Sequence, residues 1–383
     1  MKENSSVLYS EYIIDGVKMD STPARMLMEC MPPDRQKTVA ASAGGVVMDE
    51  TKDPVPGHTK TDSSMIYEYA QSIRASNSGE RGFQSGYPSF YTRLRIASAV
   101  IGSLWKKGHF GLGNLHIGLR WLWDATPLGN MAAFYTSSEA AGEYIYDLGI
   151  TLDDFSLEET DGECLFEASI LKASQGMQDE SDEGVMSGDG GHDRIWMSDE
   201  RACPDKTDSK GGSRLIYIPF DTCPHRLGGS LLEQSTGPLN DRSPEIQDPD
   251  YFIDCYEVVR ELVEDNVVMA GITVGDGGLM TAAGKLCRHS GATLDLAGVM
   301  SSYMENDAVK ILFAEIPGIL IQIHDSDYDY VDGQLLLQDI AYYPVGRPGR
   351  KDGRIMVSGN MRSDVASILA SLIYGQGASE GED

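Results

Sequence analysis

The run Ala270-Gly271-Ile272-Thr273-Val274-Gly275-Asp276-Gly277-Gly278-Leu279 constrains the fold more than any other stretch of the chain. A turn this rich in glycine lets backbone approach a ligand or a neighbouring element closely, because no Cβ stands in the way. Residues 251–265 come before it with Phe252, Tyr256, Val259, Leu262 and Val263 at helical spacing. Residues 267–274 then read as a strand and 279–289 as a helix, followed by a strand at 318–323. Alone, Gly-Asp-Gly-Gly is common in ordinary turns. Its setting is more specific, with Leu227-Gly228-Gly229-Ser230 upstream and Leu312-Phe313-Ala314-Glu315-Ile316-Pro317-Gly318 downstream.

The rest of the chain alternates helix and strand patterns from residue 87 onward. Residues 94–104 carry Ile96, Val100, Ile101 and Leu104 on one helical face, and 115–123 alternate like a strand with Leu115, Ile117, Leu119, Trp121 and Trp123 together. Residues 137–148 predict a helix with Ser137 or Ser138 as its cap and Gly149 closing it. Strands are expected at 166–171, 214–220 and 354–357, an edge element at 311–313, and helices at 227–234, 334–340 and 365–374. Such alternation implies α/β or α+β layering. Residues 1–86 are poorly patterned, with a short helix at 25–31 and a helical stretch at 65–73, and the expectation is a poorly ordered region. Residues 175–193 read as an acidic, solvated insert, and 361–383 as a helix and tail.

Charge and cysteine content narrow the function classes. The net charge of −28 over 383 residues argues against nucleic acid or an anionic membrane as partner. The six cysteines form no C-x-x-C pair and read as reduced thiols, and the seven histidines are scattered without metal-ligand spacing. No apolar run approaches the roughly 18 residues of a membrane span, and no leader pattern opens the chain. The expectation is a soluble, cytoplasmic protein with no metal site and no catalytic nucleophile among these residues.

The three motifs in order, Leu-Gly-Gly-Ser, the glycine turn and Leu-Phe-Ala-Glu, resemble the second synthetase half of the phosphoribosylformylglycinamidine synthases. These are the glutamine-dependent ligases of purine biosynthesis. Trp121-Leu122-Trp123 and Ala202-Cys203-Pro204-Asp205-Lys206-Thr207 extend the resemblance, which covers about residues 88–360. It implies a PurM/PurL-like unit of α/β plus α+β class. A shortened barrel-forming domain at 87–210 would precede an α+β domain at 211–360. It also implies a nucleotide site for ATP or ADP with Mg²⁺. Gly271, Gly275, Asp276, Gly277 and Gly278 would form a degenerate nucleotide-site loop.

Several positions depart from the family pattern. Its helical Glu-x-x-x-Asn pair falls on Ser98 and Gly102, the metal-binding Asp on Thr273, and the phosphate-contacting Ser on Gly275. A dication is held by summed charge and ligand number, so these losses point one way. Asp276 is expected to cap the following helix or brace the turn, and Glu315 to pair structurally. The resemblance thus implies a divergent, truncated synthase that does not catalyse alone and pairs with a second copy or a missing synthetase half. The alternative is a pseudoenzyme serving as an interaction or scaffold protein, with the acidic insert as a docking surface.

Overall fold

The computed structural model describes residues 6–36, 46–49, 69, 71–73, 81–108, 110–173, 197–208, 211–239, 241–349 and 353–358. Its first elements are short: α1 (Ser6–Tyr9), β1 (Glu11–Ile14), β2 (Val17–Lys18), α2 (Pro23–Met28), α3 (Pro33–Gln36) and β3 (Val46–Asp49). β1 lies between antiparallel β2 and parallel β3. The expectation of poor order across 1–86 does not hold for residues 6–36, because Leu8, Tyr12, Ile14, Ala24 and Leu27 belong to the main core. Elements this short carry no readable period. They are held by packing, with α2 lying on the helix Asn130–Asp147.

Five elements follow: α4 (Pro88–Leu104), β4 (Leu115–Trp123), α5 (Asn130–Asp147), β5 (Thr151–Glu159) and β6 (Leu165–Ala173). The strands pair in the order β5-β4-β6, with β5 parallel and β6 antiparallel to β4. β4 buries Leu115, Ile117, Leu119, Trp121 and Trp123, as its alternation predicts. Buried indoles need acceptors. Trp121 Nε1 donates to Ser137 Oγ at 3.0 Å, and Trp123 Nε1 to the Asn130 carbonyl at 3.1 Å. Neither serine of the expected cap ends α5. The helix begins at Asn130, Ser137 is also bonded to Thr92 Oγ1 at 2.7 Å, and Ser138 bonds back to the Phe134 carbonyl. Gly149, at φ +66°, does close the helix. β5 was hidden by its acidic content: Leu152 and Phe155 face the core while Asp154, Ser156 and Glu158 face out.

The remaining elements are β7 (Ser213–Pro219), α6 (Leu231–Thr236), α7 (Pro249–Glu264), β8 (Ala270–Val274), α8 (Gly278–Leu286), β9 (Ala292–Asp295), α9 (Ala297–Ser302), α10 (Ala308–Phe313), β10 (Gly318–His324), α11 (Tyr328–Leu337), β11 (Tyr343–Pro348) and β12 (Ile355–Ser358). They build a six-stranded sheet in the order β12-β9-β11-β7-β10-β8. Its central strands are buried on both faces. Ile216, Ile218, Ile319, Ile321 and Ile323 share one core with α4, α5, α7 and β4. Leu215, Tyr217 and Leu320 share a second core with α8 and α10. The first core therefore runs unbroken from the three-stranded sheet to the six-stranded one.

The expected edge element at 311–313 is the end of α10, and the helix expected at 334–340 starts earlier, at Tyr328. β9 and β11 were not foreseen. β9 is only four residues long, and Pro344, Gly346 and Pro348 depress strand propensity in β11. The acidic insert at 175–193 and the segment 361–383 lie outside the described residues. No described helix is long and apolar enough to cross a membrane.

His225, in the loop between β7 and α6, is a core histidine. Its ring meets Tyr303 edge-on at 4.5 Å, and neither ring nitrogen has a hydrogen-bond partner. Burial pushes the imidazole down to about 4, from an ordinary 6.5. Between those values the unfolded chain binds the extra proton, so folding stability falls as pH drops from 6.5 towards 4. The contribution reaches about 3 kcal/mol at about 1.4 kcal/mol per pH unit. Urea unfolding at a series of pH values should show wild type losing that much more than His225→Phe across this window.

Candidate functional site

β8 delivers the chain into the turn 275–278, which opens α8. Gly277 and Gly278 have φ of +75° and +66°, a left-handed pair that side chains rarely adopt. A Cβ on Gly278 would lie 2.7 Å from the Leu312 carbonyl oxygen and 2.8 Å from that of Ala314. Absence of a side chain therefore lets the turn sit directly on the Leu-Phe-Ala-Glu backbone. Gly229, φ +76°, performs a similar reversal before α6, whose N-terminus Ser230 caps by accepting from the Glu233 N–H.

Glu315 ties the three motifs together. It is fully buried, and its Oε1 accepts the Gly277 N–H at 2.6 Å and the Leu231 N–H at 2.9 Å. One carboxylate thus sits at the N-terminal ends of both α8 and α6, where backbone donors and helix dipoles favour an anion. Arg81 supplies the opposing charge. Its Nη1 donates to Glu315 Oε2 at 2.9 Å and to Asp276 Oδ1, and its Nη2 donates to the Gly229 carbonyl at 2.9 Å. Arg95 Nη1 donates to Asp276 Oδ2 at 2.7 Å. Both guanidiniums lie against the Tyr91 ring, at 5.0 and 5.8 Å. The Tyr91 hydroxyl donates to the Arg81 carbonyl at 3.1 Å.

Burial opposes the charge on Arg81, but Glu315 and Asp276 more than offset it and hold the guanidinium above its ordinary pKa. Burial pushes the Glu315 carboxyl up, against the pull of Arg81 and the two amides. Burial likewise pushes the Lys285 ammonium down, partly countered by Asp276. Asp276 is a brace, not a cap: Gly277 holds the N-cap position of α8, and no side chain caps it.

A groove of about 560 Å³ adjoins this junction, lined among others by Arg95, Ser98, Arg120, Asp154, Ser156 and Glu167. It lies between α4 and the outer face of the β5-β4-β6 sheet. Arg95 belongs to both groove and junction. Ser98 Oγ would stand 2.8 Å from a Cβ on Gly275, so the groove reaches the glycine turn. Arg120 pairs with Glu158 at 3.3 Å and Glu167 at 3.5 Å.

The residues at the turn do not fit a magnesium-bound nucleotide. Such a ligand needs several hard oxygens with negative charge to spare. Asp276 is bonded to two guanidiniums, and Glu315 is consumed by Arg81 and two amides. Thr273 Oγ1 is taken by Trp105 Nε1 at 2.9 Å. Among the described residues no three His, Cys, Asp or Glu side chains converge as a metal site.

Of the residues singled out from sequence, Gly275, Asp276, Gly277 and Gly278 do converge at the junction. Gly271 stands apart on β8, where its N–H donates to the Pro204 carbonyl and its carbonyl accepts from Arg201 Nη2. Sequence reasoning missed Arg81 and Arg95. A usable signal was there: two acidic residues in apolar, glycine-rich surroundings require buried cations.

No model of a known protein family matches the sequence. Individual proteins do. The chain is 27% identical over 269 residues to the probable chloroplastic/mitochondrial phosphoribosylformylglycinamidine synthase of Arabidopsis thaliana, an alignment covering 68% of this chain and 17% of that protein. It is 23% identical over 248 residues to human phosphoribosylformylglycinamidine synthase, covering 63% and 17%. The chain therefore spans only 17% of the length of each of these relatives. Among solved structures, Thermotoga maritima PurL complexed with ATP superposes with a TM-score of 0.50 at 13% identity, over 75% of this chain and 42% of that one. At that identity the likeness speaks for the fold, which is the PurL-like arrangement.

Arg81→Met would leave Glu315 and Asp276 short of a buried cation and should cost about 3–5 kcal/mol. Adding Glu315→Gln removes the stranded charge and should recover part of that loss. Urea unfolding of the two single variants and the double variant measures the coupling, and additive losses would show that the pair does not act as a unit.

Proposed function

We propose, starting from a chain that is a relative of the phosphoribosylformylglycinamidine synthases and has their synthetase fold, that it serves as a structural synthetase half. In this reading its glycine turn is a joint and not a metal–nucleotide centre. The chain does not by itself carry out the ATP- and glutamine-dependent amidation of formylglycinamide ribonucleotide. The observation that carries this reading is Asp276, the one carboxylate of the turn, bonded on both oxygens by Arg81 and Arg95. Freeing it for a dication would break its bond to Arg95 and leave Arg81 with Glu315 and the Gly229 carbonyl alone, giving up charge pairing inside a buried network.

The unit works by pairing, either with another synthetase half or with a second copy. β5 and β6 are the outer strands of their sheet among the described residues, and outer strands are templates for further strands, although on β5 the Leu152 N–H already donates to the Cys30 carbonyl and the Asp153 carbonyl accepts from Arg35. A second reading, an interaction or scaffold protein built on the same fold, draws on the same saturated junction and on the net charge of −28.

Thermal unfolding with millimolar Mg-ADP or Mg-ATP, against nucleotide with EDTA, separates these readings from an active synthetase. The expected result is no magnesium-dependent change in midpoint. A ligand at about 100 times its Kd adds roughly 2.7 kcal/mol, and a magnesium-dependent rise of ~2 °C or more would sink the proposal. Sedimentation velocity of the chain, with and without a synthetase half added, then distinguishes pairing from scaffolding.

A further inference from the structure

α11 carries apolar side chains on two opposite sides. Val331 and Leu335 point into the core and are fully buried. At about 100° per residue, Tyr330, Leu336 and Leu337 fall on the opposite, solvent side. Their exposures of 44%, 59% and 78% agree with that placement. Gly333 lies midway between them along this side, and a Cβ built on it meets nothing within 4 Å. The helix therefore presents an open notch with a leucine on one flank and a leucine and a tyrosine on the other. The Tyr330 hydroxyl donates to Asp265 Oδ2 at 3.0 Å, which fixes that wall against the end of α7.

The surroundings are strongly acidic. Asp265 and Glu261 at the end of α7 neighbour Tyr330, Asp329 falls on the solvent side of α11 at helical spacing, and Asp327 and Asp339 flank the helix in sequence. Arg260 pairs with Glu261 and Glu264, while Arg214 and Arg347 are both spent on Asp325. Among the described residues Asp327, Asp329 and Asp339 form no ion pair. A second copy docked through the same face would set these carboxylates against themselves, as any two-fold contact repeats one patch on both sides.

We propose that the solvent side of α11 is a docking face for a basic amphipathic helix of a protein partner. A large apolar residue of that helix seats in the notch at Gly333, between Tyr330, Leu336 and Leu337, in the helix-in-groove manner. Its Lys and Arg residues meet the carboxylate rim, which steers approach and excludes acidic partners. This surface is independent of the junction and of the groove beside α4.

The probe is a fluorescent Leu/Lys helical peptide of about 18 residues, titrated with the full chain and followed by anisotropy in about 0.15 M salt. Binding should be lost by about tenfold or more in Gly333→Leu, which fills the notch without introducing charge, and in Leu337→Glu. Leu128→Glu, the same change at another exposed leucine, should leave it unaltered. Equal binding by all three variants would mean diffuse attraction to an acidic chain and would overturn the proposal. So would no binding by wild type, or self-association that Leu337→Glu abolishes in sedimentation.

Discussion

The buried pair of Glu315 and Arg81 is the contact on which the centre of the molecule depends. Glu315 does the work of a phosphate or other anion at two helix N-termini, and Arg81 does the work of a cation between two carboxylates. Each group would be expensive to bury alone. Together they satisfy most of each other's charge and hydrogen-bonding capacity, and Asp276 and Arg95 complete the set. The loop before α6, the turn before α8 and the end of α10 are thereby locked by one network.

That self-sufficiency bears directly on function. A site that handles metal and nucleotide keeps hard oxygen ligands with negative charge to spare until the ligand arrives. Here the balancing charges come from the chain itself, and from two elements distant in sequence from the turn. Thr273, bonded to Trp105, and the close approach of Ser98 to Gly275 continue the pattern of internal contacts around the turn. The groove beside α4 remains open; of its charged lining, Arg95 is paired with Asp276 and Arg120 with Glu167 and the neighbouring Glu158, while Asp154 has no ion pair among the described residues.

Much of the architecture was legible in the chain. The alternation of β4, the stripe of α7 and the strand–turn–helix around 270–286 have long or sharply punctuated patterns, and the structure follows them. Among the shortest elements β1, β9 and α9 were not legible, because so few residues define no period, whereas β8 and β12 were marked by their apolar runs. β5 was disguised by acids that face solvent, and the start of α5 by serines that resemble a cap. Ser137 is instead the acceptor for a buried indole in β4, a partner that local sequence cannot supply.

The sequence by itself determined where the glycines reverse the chain, because Gly277 and Gly278 occupy backbone conformations that L side chains avoid and that choice is local. It likewise determined the apolar faces and the family likeness carried by three ordered motifs. Only the tertiary structure decided what Asp276 and Glu315 are for. Their partner Arg81 is 195 residues from Asp276 and 234 from Glu315, so no spacing rule links them. The role of a buried carboxylate is set by the charge it meets in space.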